Sequence, residues 1–142
     1  MTKVVCDTDF LMKVANEPVP KLREFLESSD VELVTLPSVL RELTGLSSSS
    51  NQKTRKYARN ALRAIEDKFV QVEKEEAGRS VDADVALLDF ALRGTVMIAT
   101  LDGGLLSNLE SRGISYLTLR NNRPFSREFG GATYLTTKKR QS

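Results

Sequence analysis

Two short apolar runs in the sequence each end in a group of acidic and hydroxyl residues. Val-Val-Cys at 4–6 leads into Asp-Thr-Asp at 7–9, and Val-Met-Ile-Ala at 96–99 leads into Thr-Leu-Asp at 100–102. Continuous apolar runs of this length are typical of strands that are buried on both faces, as in parallel sheets. Both acidic groups should therefore lie at the carboxyl edge of a sheet, where α/β proteins bind their ligands.

Strand-like and helix-like segments alternate along the whole chain. The patterns predict strands at 4–6, 31–36, 69–72, 96–99 and 114–119, with helical segments at 12–15, 21–28, 38–44, 53–68, 82–93 and 105–111. Ser38 is expected to cap the third helix and Gly45 to end it. This alternation predicts an α/β fold in which helices cover both faces of a parallel sheet.

The composition is that of one globular domain. The chain has 142 residues, and 21 Lys and Arg oppose 19 Asp and Glu, a net charge of +2 that does not by itself indicate a nucleic-acid partner. The single cysteine, Cys6, lies in apolar surroundings, which predicts a buried structural thiol and fits a reducing, cytoplasmic setting. No apolar run approaches the roughly 20 residues of a membrane span, so we expect no membrane partner.

The sequence contains no histidine. This absence excludes Ser-His-Asp and Cys-His nucleophilic sites, histidine general bases and histidine-ligated zinc. An enzyme built from this chain must use carboxylates, hydroxyls, Lys or Arg, or a metal ion held by oxygen atoms. Mg²⁺ and Mn²⁺ are the cations that take oxygen ligands.

Several acids are expected near one edge of the predicted sheet. Asp7 and Asp102 follow strands, Glu42 lies one turn into the helix after the second strand, and Asp82 and Asp84 begin the helix before the fourth strand. Helix capping is the alternative explanation for Asp7, and the helix dipole is the alternative for Asp82 and Asp84. The dipole explains Glu42 and Asp102 together less well. Gathered carboxylates repel one another unless a cation is present, so the group as a whole favours a Mg²⁺ or Mn²⁺ site.

Basic residues are concentrated in two segments. The helix at 53–68 is basic near its start, and the chain after residue 119 is basic and polar; the cations are Lys53, Arg55, Lys56, Arg59, Arg63, Arg120, Arg123 and Arg127. A solvated charged face is the alternative to a nucleic-acid surface for the helix. Four consecutive serines at 47–50 predict a mobile loop before it.

Four short motifs, each with an acid, follow one another along the chain. They are Asp-Thr at 7–8, Glu42 within 39–43, Asp84 within 84–88, and Ala-Thr-Leu-Asp at 99–102. From Val4 to about Phe125 the chain therefore resembles a PIN domain. The resemblance implies a three-layer α/β/α fold with a parallel sheet of about five strands in order 3-2-1-4-5, a PIN domain at 1–125 and a basic extension at 126–142.

The resemblance also implies a metal-dependent nuclease with defined site residues. Asp7, Asp84 and Asp102 would hold one or two Mg²⁺ or Mn²⁺ ions, Glu42 would complete the site, and a water would hydrolyse the phosphodiester to leave a 5′-phosphate. Further residues have auxiliary roles: Asp9, Asp82, Thr8 and Thr100. The two hydroxyls would orient the acids or, alternatively, only close turns.

Single-stranded RNA is the substrate that this resemblance implies. Its backbone would be bound by basic residues with salt-dependent affinity, and these are Lys53, Arg55, Lys56, Arg59, Arg120 and Arg123. Segments 79–82 and 116–124 are similar to archaeal relatives of the small-subunit ribosomal-RNA-processing nucleases. Toxin nucleases of toxin–antitoxin pairs share the same four acids, so a ribosome-assembly partner, an antitoxin and a homodimer all stay open.

Two other classes of function are alternatives. One is a catalytically silent module that binds RNA or a partner protein and uses the acids only structurally. The other is a phosphoryl-transfer protein of the haloacid-dehalogenase or receiver type, which also has an Asp after its first strand. Against the dehalogenase type, the Thr or Ser and the Lys expected after Asp7-Thr8-Asp9 are lacking. Against the receiver type, no acid pair precedes Asp7 and no Lys ends the last strand, where Arg120 is the nearest base. Gly103-Gly104 matches neither a dinucleotide fingerprint nor a P-loop.

Overall fold

The fold is built on one mixed sheet. The computed structural model describes residues 2–73, 86–88, 91 and 96–129. The strands in this part of the chain are β1 (Thr2–Cys6), β2 (Val31–Thr35), β3 (Gln71–Val72), β4 (Val96–Ala99), β5 (Tyr116–Arg120) and β6 (Arg123–Arg127). They form a sheet in the order β3-β2-β1-β4-β5-β6. The predicted order 3-2-1-4-5 is confirmed, and β6 extends the sheet beyond β5.

Helices connect the strands. Those with defined bounds are α1 (Thr8–Asn16), α2 (Leu22–Ser28), α3 (Pro37–Leu46), α4 (Gln52–Glu66) and α5 (Gly103–Arg112). Residues 86–88 and 91 are also helical, within the segment 82–93 that was predicted as a helix. Asp82 and Asp84 lie outside the described residues. No helix in the described part of the chain is long and apolar enough to span a membrane.

Parallel pairing aligns the carboxyl ends of three strands. Cys6, the last residue of β1, is level with Ala99, the last residue of β4. On the other side, Val5 pairs with Val34 in β2. The residues that follow these strands therefore meet at one edge of the sheet, as the sequence predicted.

Each face of the sheet is covered by its own apolar core. On one face, Phe10, Leu43 and Ala61 bring α1, α3 and α4 into one buried cluster with the sheet. On the other face, Leu109 from α5 and the helical residue Leu87 pack against the sheet. Complete burial of a side chain such as Phe or Leu stabilises the fold by about 1.5–3 kcal/mol. Both cores pack against the strands that end at the acidic edge, so they fix its position.

All five helices with defined bounds begin one to four residues from their predicted starts, and two of these differences have a clear local cause. A helix was expected from Met12, but α1 begins at Thr8 because the Asp7 side chain caps it. Ser38 was expected to cap α3, but Leu36 occupies the N-cap position and Pro37 the first turn, where the fixed φ of proline suits a helix start. Gly45 lies within α3 rather than ending it.

The β5–β6 hairpin was not predicted. β6 pairs antiparallel with β5, and Arg120 lies opposite Arg123 across a two-residue turn. The turn residues Asn121 and Asn122 have φ angles of 52° and 61°. Two successive residues of positive φ are typical of the tight hairpin turns whose twist matches that of the strands.

Candidate active site

Asp7 is fixed at the end of β1 by contacts on several sides. Its backbone N–H donates to the carbonyl of Ala99 at 3.0 Å, and its Oδ1 accepts from the backbone N–H of Phe10 at 2.9 Å. Only 5% of the residue is exposed. A carboxylate at this depth needs polar partners or a cation, because burial removes its hydration.

Thr100 supplies one of those partners and links two acids. Its hydroxyl donates to Oδ2 of Asp7 and accepts from the backbone N–H of Asp102 at 3.0 Å. Thr100 is completely buried. The hydroxyl therefore couples the orientation of the Asp7 carboxylate to the backbone that carries Asp102. This arrangement fits the orienting role that the family resemblance implied for Thr100.

Asp102 is the exposed acid of this pair. It is the N-cap of α5, and its Oδ2 accepts from the backbone N–H of Leu105 at 2.7 Å. The cap holds one carboxylate oxygen against the helix while the residue stays exposed. Capping was the alternative explanation for Asp7, and the structure contains a cap at Asp102 as well. A cap uses one or two lone pairs of a carboxylate, so the remaining lone pairs are available to a further ligand.

Glu42 joins the site through Thr8. The Thr8 hydroxyl donates to Oε1 of Glu42 at 2.6 Å, across α1 and α3. Thr8 is buried and directly follows Asp7, whereas Glu42 is exposed. The two threonines therefore hold acids from three different elements at one edge of the sheet.

The strand ends are also tied together by Thr35, which the sequence reasoning did not single out. Its hydroxyl donates to the carbonyl of Cys6 at 2.8 Å, which joins the ends of β2 and β1. Its signal in the sequence was a hydroxyl residue ending a strand, as at Thr100. Cys6 is buried and free, as predicted. Burial, with a smaller contribution from the Asp7 charge, raises the pKa of its thiol, which makes it inert.

Two other predicted auxiliary acids have different outcomes. Asp9 lies exposed in the first turn of α1, where an acid suits the positive end of the helix dipole. Asp82 lies outside the described residues, as does Asp84, one of the four principal acids. Their roles at the site stay predictions.

The oxygen atoms at this edge suit a hard cation in their chemistry. Carboxylates oriented by hydroxyl donors are the ligand type that Mg²⁺ and Mn²⁺ take. Within residues 2–73, 86–88, 91 and 96–129, no group of three or more Asp, Glu, Cys or His side chains could hold one metal ion. A complete ligand set would therefore need a further acid from the rest of the chain.

The basic start of α4 lies away from the strand-end acids. Asn16, the last residue of α1, donates to the carbonyl of Tyr57 at 3.1 Å, whereas Asp7 caps the first turn of α1. The nine residues of α1 give it a length of about 13 Å, which separates its Asp7 end from its Asn16 end. The predicted RNA-binding cations of α4 therefore lie roughly the length of α1 away from the acids. They are Lys53, Arg55, Lys56 and Arg59.

The individual contacts of these α4 cations differ. Arg55 donates to the carbonyl of Ser49 at 2.9 Å, which ties the serine-rich loop to the helix. The Lys53 ammonium lies 5.2 Å from the ring centroid of Tyr57. Lys56 and Arg59 are exposed. Arg55 thus has a structural contact, and the role of all four in RNA binding stays a prediction.

Arg120 and Arg123 lie at the same edge as the acids. β5 continues three residues beyond Leu117, which is level with Ala99. The β5–β6 turn therefore projects from the edge at which Asp7 and Asp102 are held. Both arginines are exposed, and their role in RNA binding stays a prediction.

Comparison with known proteins assigns the chain to a family. A family model described as a PIN like domain matches residues 4–122. The solved structure of the PIN domain endonuclease Utp24 is 18% identical, with a TM-score of 0.70, and the match covers 89% of this chain and 92% of that one. A domain of a functionally unknown protein from Methanocaldococcus jannaschii is 17% identical, with a TM-score of 0.58 and coverage of 84% and 92%.

No curated protein matches the chain in sequence. At these low identities, similarity to the two solved structures shows a shared fold alone. The family model covers most of the chain and supports a nuclease. The chain belongs to the family of PIN-like domains.

Proposed function

We propose that this protein is a divalent-metal-dependent endoribonuclease that cuts single-stranded RNA. The observation that carries the proposal is the hydrogen-bonded set at the sheet edge, in which Thr100 bridges Asp7 and Asp102 and Thr8 holds Glu42. Buried hydroxyls that orient acids on separate elements are an arrangement suited to ligand positioning. Membership of the PIN-like family supports the same conclusion.

A Mg²⁺ or Mn²⁺ ion would be held by Asp7, Asp102 and Asp84, with Glu42 completing the site. When bound, it would stabilise charge on the phosphate oxygens and lower the pKa of water. The chain's own contribution is orientation. The Thr100 hydroxyl fixes the Asp7 carboxylate, the α5 cap fixes that of Asp102, and the Thr8 hydroxyl fixes that of Glu42.

A single strand is favoured because Asp7 is buried, and an exposed backbone reaches a recessed acid more easily than a duplex does. The basic hairpin favours RNA binding in general. Arg120 and Arg123 project from the acidic edge, where they would bind phosphates on either side of the cleaved bond. The α4 cations would bind a more distant part of the strand. The reaction would leave a 5′-phosphate on the downstream fragment.

Ribosomal RNA is the proposed substrate class, with proteins of ribosome assembly as partners. The similarity of segments 79–82 and 116–124 to archaeal ribosomal-RNA-processing relatives supports this choice. A toxin-type role would instead require an antitoxin encoded by a neighbouring gene. A homodimer is compatible with either role.

The test is cleavage of end-labelled single-stranded RNA and of the matching duplex, with Mg²⁺, Mn²⁺ or EDTA. We expect internal cuts in the single strand with either metal, 5′-phosphates on the products, and no cutting with EDTA. A protein that binds the metal and the RNA but leaves every RNA intact would favour the catalytically silent module.

A further inference from the structure

A groove lies beside the candidate active site, between α5 and β5. It has a volume of about 420 Å³ and is lined by residues that include Leu101, Ser107, Thr118 and Arg120. Leu101 stands between Thr100 and Asp102 in the chain, so one end of the groove lies next to the site. Pockets for small ligands have volumes of about 300–1,000 Å³. This groove is therefore large enough for one nucleotide.

We propose that the groove binds a single nucleotide of the RNA strand, directly beside the phosphodiester that is cut. The inference rests on the proposed function and adds a subsite to it. Its occupant is a ribonucleoside monophosphate unit, with the phosphate on Arg120 and the sugar or base against the hydroxyls of Ser107 and Thr118. Hydroxyl groups can both donate to and accept from a nucleotide.

Arg120 is pre-organised for phosphate binding. Its guanidinium lies 3.7 Å from the ring centroid of Phe125. Phe125 pairs with Thr118 across the hairpin, so the stack stands on the sheet face that lines the groove. Stacking uses the flat face of a guanidinium and leaves its N–H groups, which point outward in the plane, for a phosphate.

The hairpin that carries this stack is itself held in place. Its turn residues Asn121 and Asn122 both have positive φ, and the Asn122 side chain donates to the carbonyl of Pro18 at 3.1 Å. A tight turn anchored in this way limits movement of the Arg120 side chain. Less conformational entropy is then lost when a phosphate binds.

The negative charge in the groove is already neutralised. Glu110 lines it, but its Oε2 lies 3.2 Å from Nη1 of Arg127, and its Oε1 accepts from the hydroxyl of Tyr116 at 2.8 Å. With both oxygens engaged, this carboxylate repels a phosphate only weakly. Arg120 therefore dominates the charge at the end of the groove beside the β5–β6 turn.

The first experiment measures binding of a fluorescein-labelled single-stranded RNA by anisotropy, in EDTA so that no cleavage occurs. We expect Arg120→Gln to weaken binding about 5- to 20-fold and to reduce the salt dependence by the contribution of about one phosphate. Arg112→Gln is the charge-matched control, because Arg112 is exposed on α5 and does not line the groove. Phe125→Leu keeps the charge but removes the stack and should give a smaller loss.

The second experiment locates the nucleotide by photocrosslinking. A series of RNAs is used, each with 4-thiouridine at a different position. We expect crosslinks to peptides 101–111 or 114–120 from only one of these positions. Equal binding by the Arg120→Gln and Arg112→Gln variants, or crosslinks that avoid both peptides, would overturn the subsite. If wild type cleaves RNA, the proposed function stands even when the subsite is overturned. If RNA crosslinks to these peptides but is never cut, the proposed function is contradicted and the subsite stands.

Discussion

The hydroxyl of Thr100 donates to the buried carboxylate of Asp7. The same oxygen accepts the backbone N–H of Asp102. One completely buried side chain thus connects the acid that ends β1 to the acid that begins α5. Each acid also caps a helix, so the two proposed metal ligands are also the N-caps of α1 and α5.

Replacing these acids by asparagine separates capping from catalysis. Asparagine caps a helix about as well as aspartate, so Asp102→Asn should leave the free energy of unfolding nearly unchanged. Asp7→Asn should cost about 1–3 kcal/mol, because both oxygens of this buried carboxylate accept hydrogen bonds and an amide offers only one acceptor oxygen. Urea unfolding measures both values, and both variants should lose cleavage. Equal losses of stability in Asp7→Asn and Asp102→Asn would contradict the greater burial of Asp7.

Thr100 should be a positioning residue. In Thr100→Val the Asp7 carboxylate loses a donor and the Asp102 N–H loses its acceptor, so we expect a loss of about 1–3 kcal/mol in stability and of about 10- to 100-fold in cleavage. Thr100→Ser retains the hydroxyl and should recover most of the cleavage rate. A valine variant that cuts as fast as wild type, beside a slow serine variant, would show that the methyl packing, not the hydroxyl, is what matters.

Asp84 should complete the metal site. The described carboxylates form no group of three that could hold one ion, and the family pattern assigns the missing acid to Asp84. We expect Asp84→Asn to weaken Mn²⁺ binding, measured by calorimetry, as strongly as Asp7→Asn does. Asp82→Asn is the neighbouring control and should have a smaller effect. The reverse ranking would assign the ligand to Asp82.

The Tyr116–Glu110 contact should be visible in the dependence of stability on pH. Burial, then the hydrogen bond to Glu110, raises the pKa of Tyr116 above its ordinary value of 10.0. A raised pKa in the folded state stabilises the fold below pH 10 and loses that contribution as the pH rises through the folded pKa. The stability difference between wild type and Tyr116→Phe should therefore shrink between neutral pH and about pH 11. A constant difference would contradict the contact.

The sequence was sufficient to predict the five parallel strands and the position of Asp7 and Asp102 at their carboxyl edge, whereas the strand order came from the family resemblance. Both features depend on local patterns, namely apolar runs that must be buried and acids that directly follow them. The start of α1 was missed because the helix was placed at 12–15, although capping of this helix by Asp7 was one of the alternatives. As a cap, Asp7 begins the helix at Thr8.

The hairpin and the groove were harder to predict. β6 contains Pro124 and three polar residues and has no strand-like alternation, so its pairing with β5 is determined by tertiary structure. In the sequence, the adjacent residues Asn121 and Asn122 were the one local signal of this turn. The groove depends on how α5 packs against β5, and the threonine bridges depend on strand register. Neither can be read from short segments of the sequence.

The most direct measurement is the initial rate at which single-stranded RNA is cut with Mn²⁺ by wild type, Asp102→Asn and Asp30→Asn. Asp30 precedes β2 at the opposite edge of the sheet and has a φ of 53°, which asparagine also adopts readily. We expect Asp30→Asn to match wild type and Asp102→Asn to be slower by at least about 100-fold, since even the partners of metal ligands contribute about 10- to 100-fold. Cleavage by Asp102→Asn at the wild-type rate would contradict a catalytic site at this edge of the sheet.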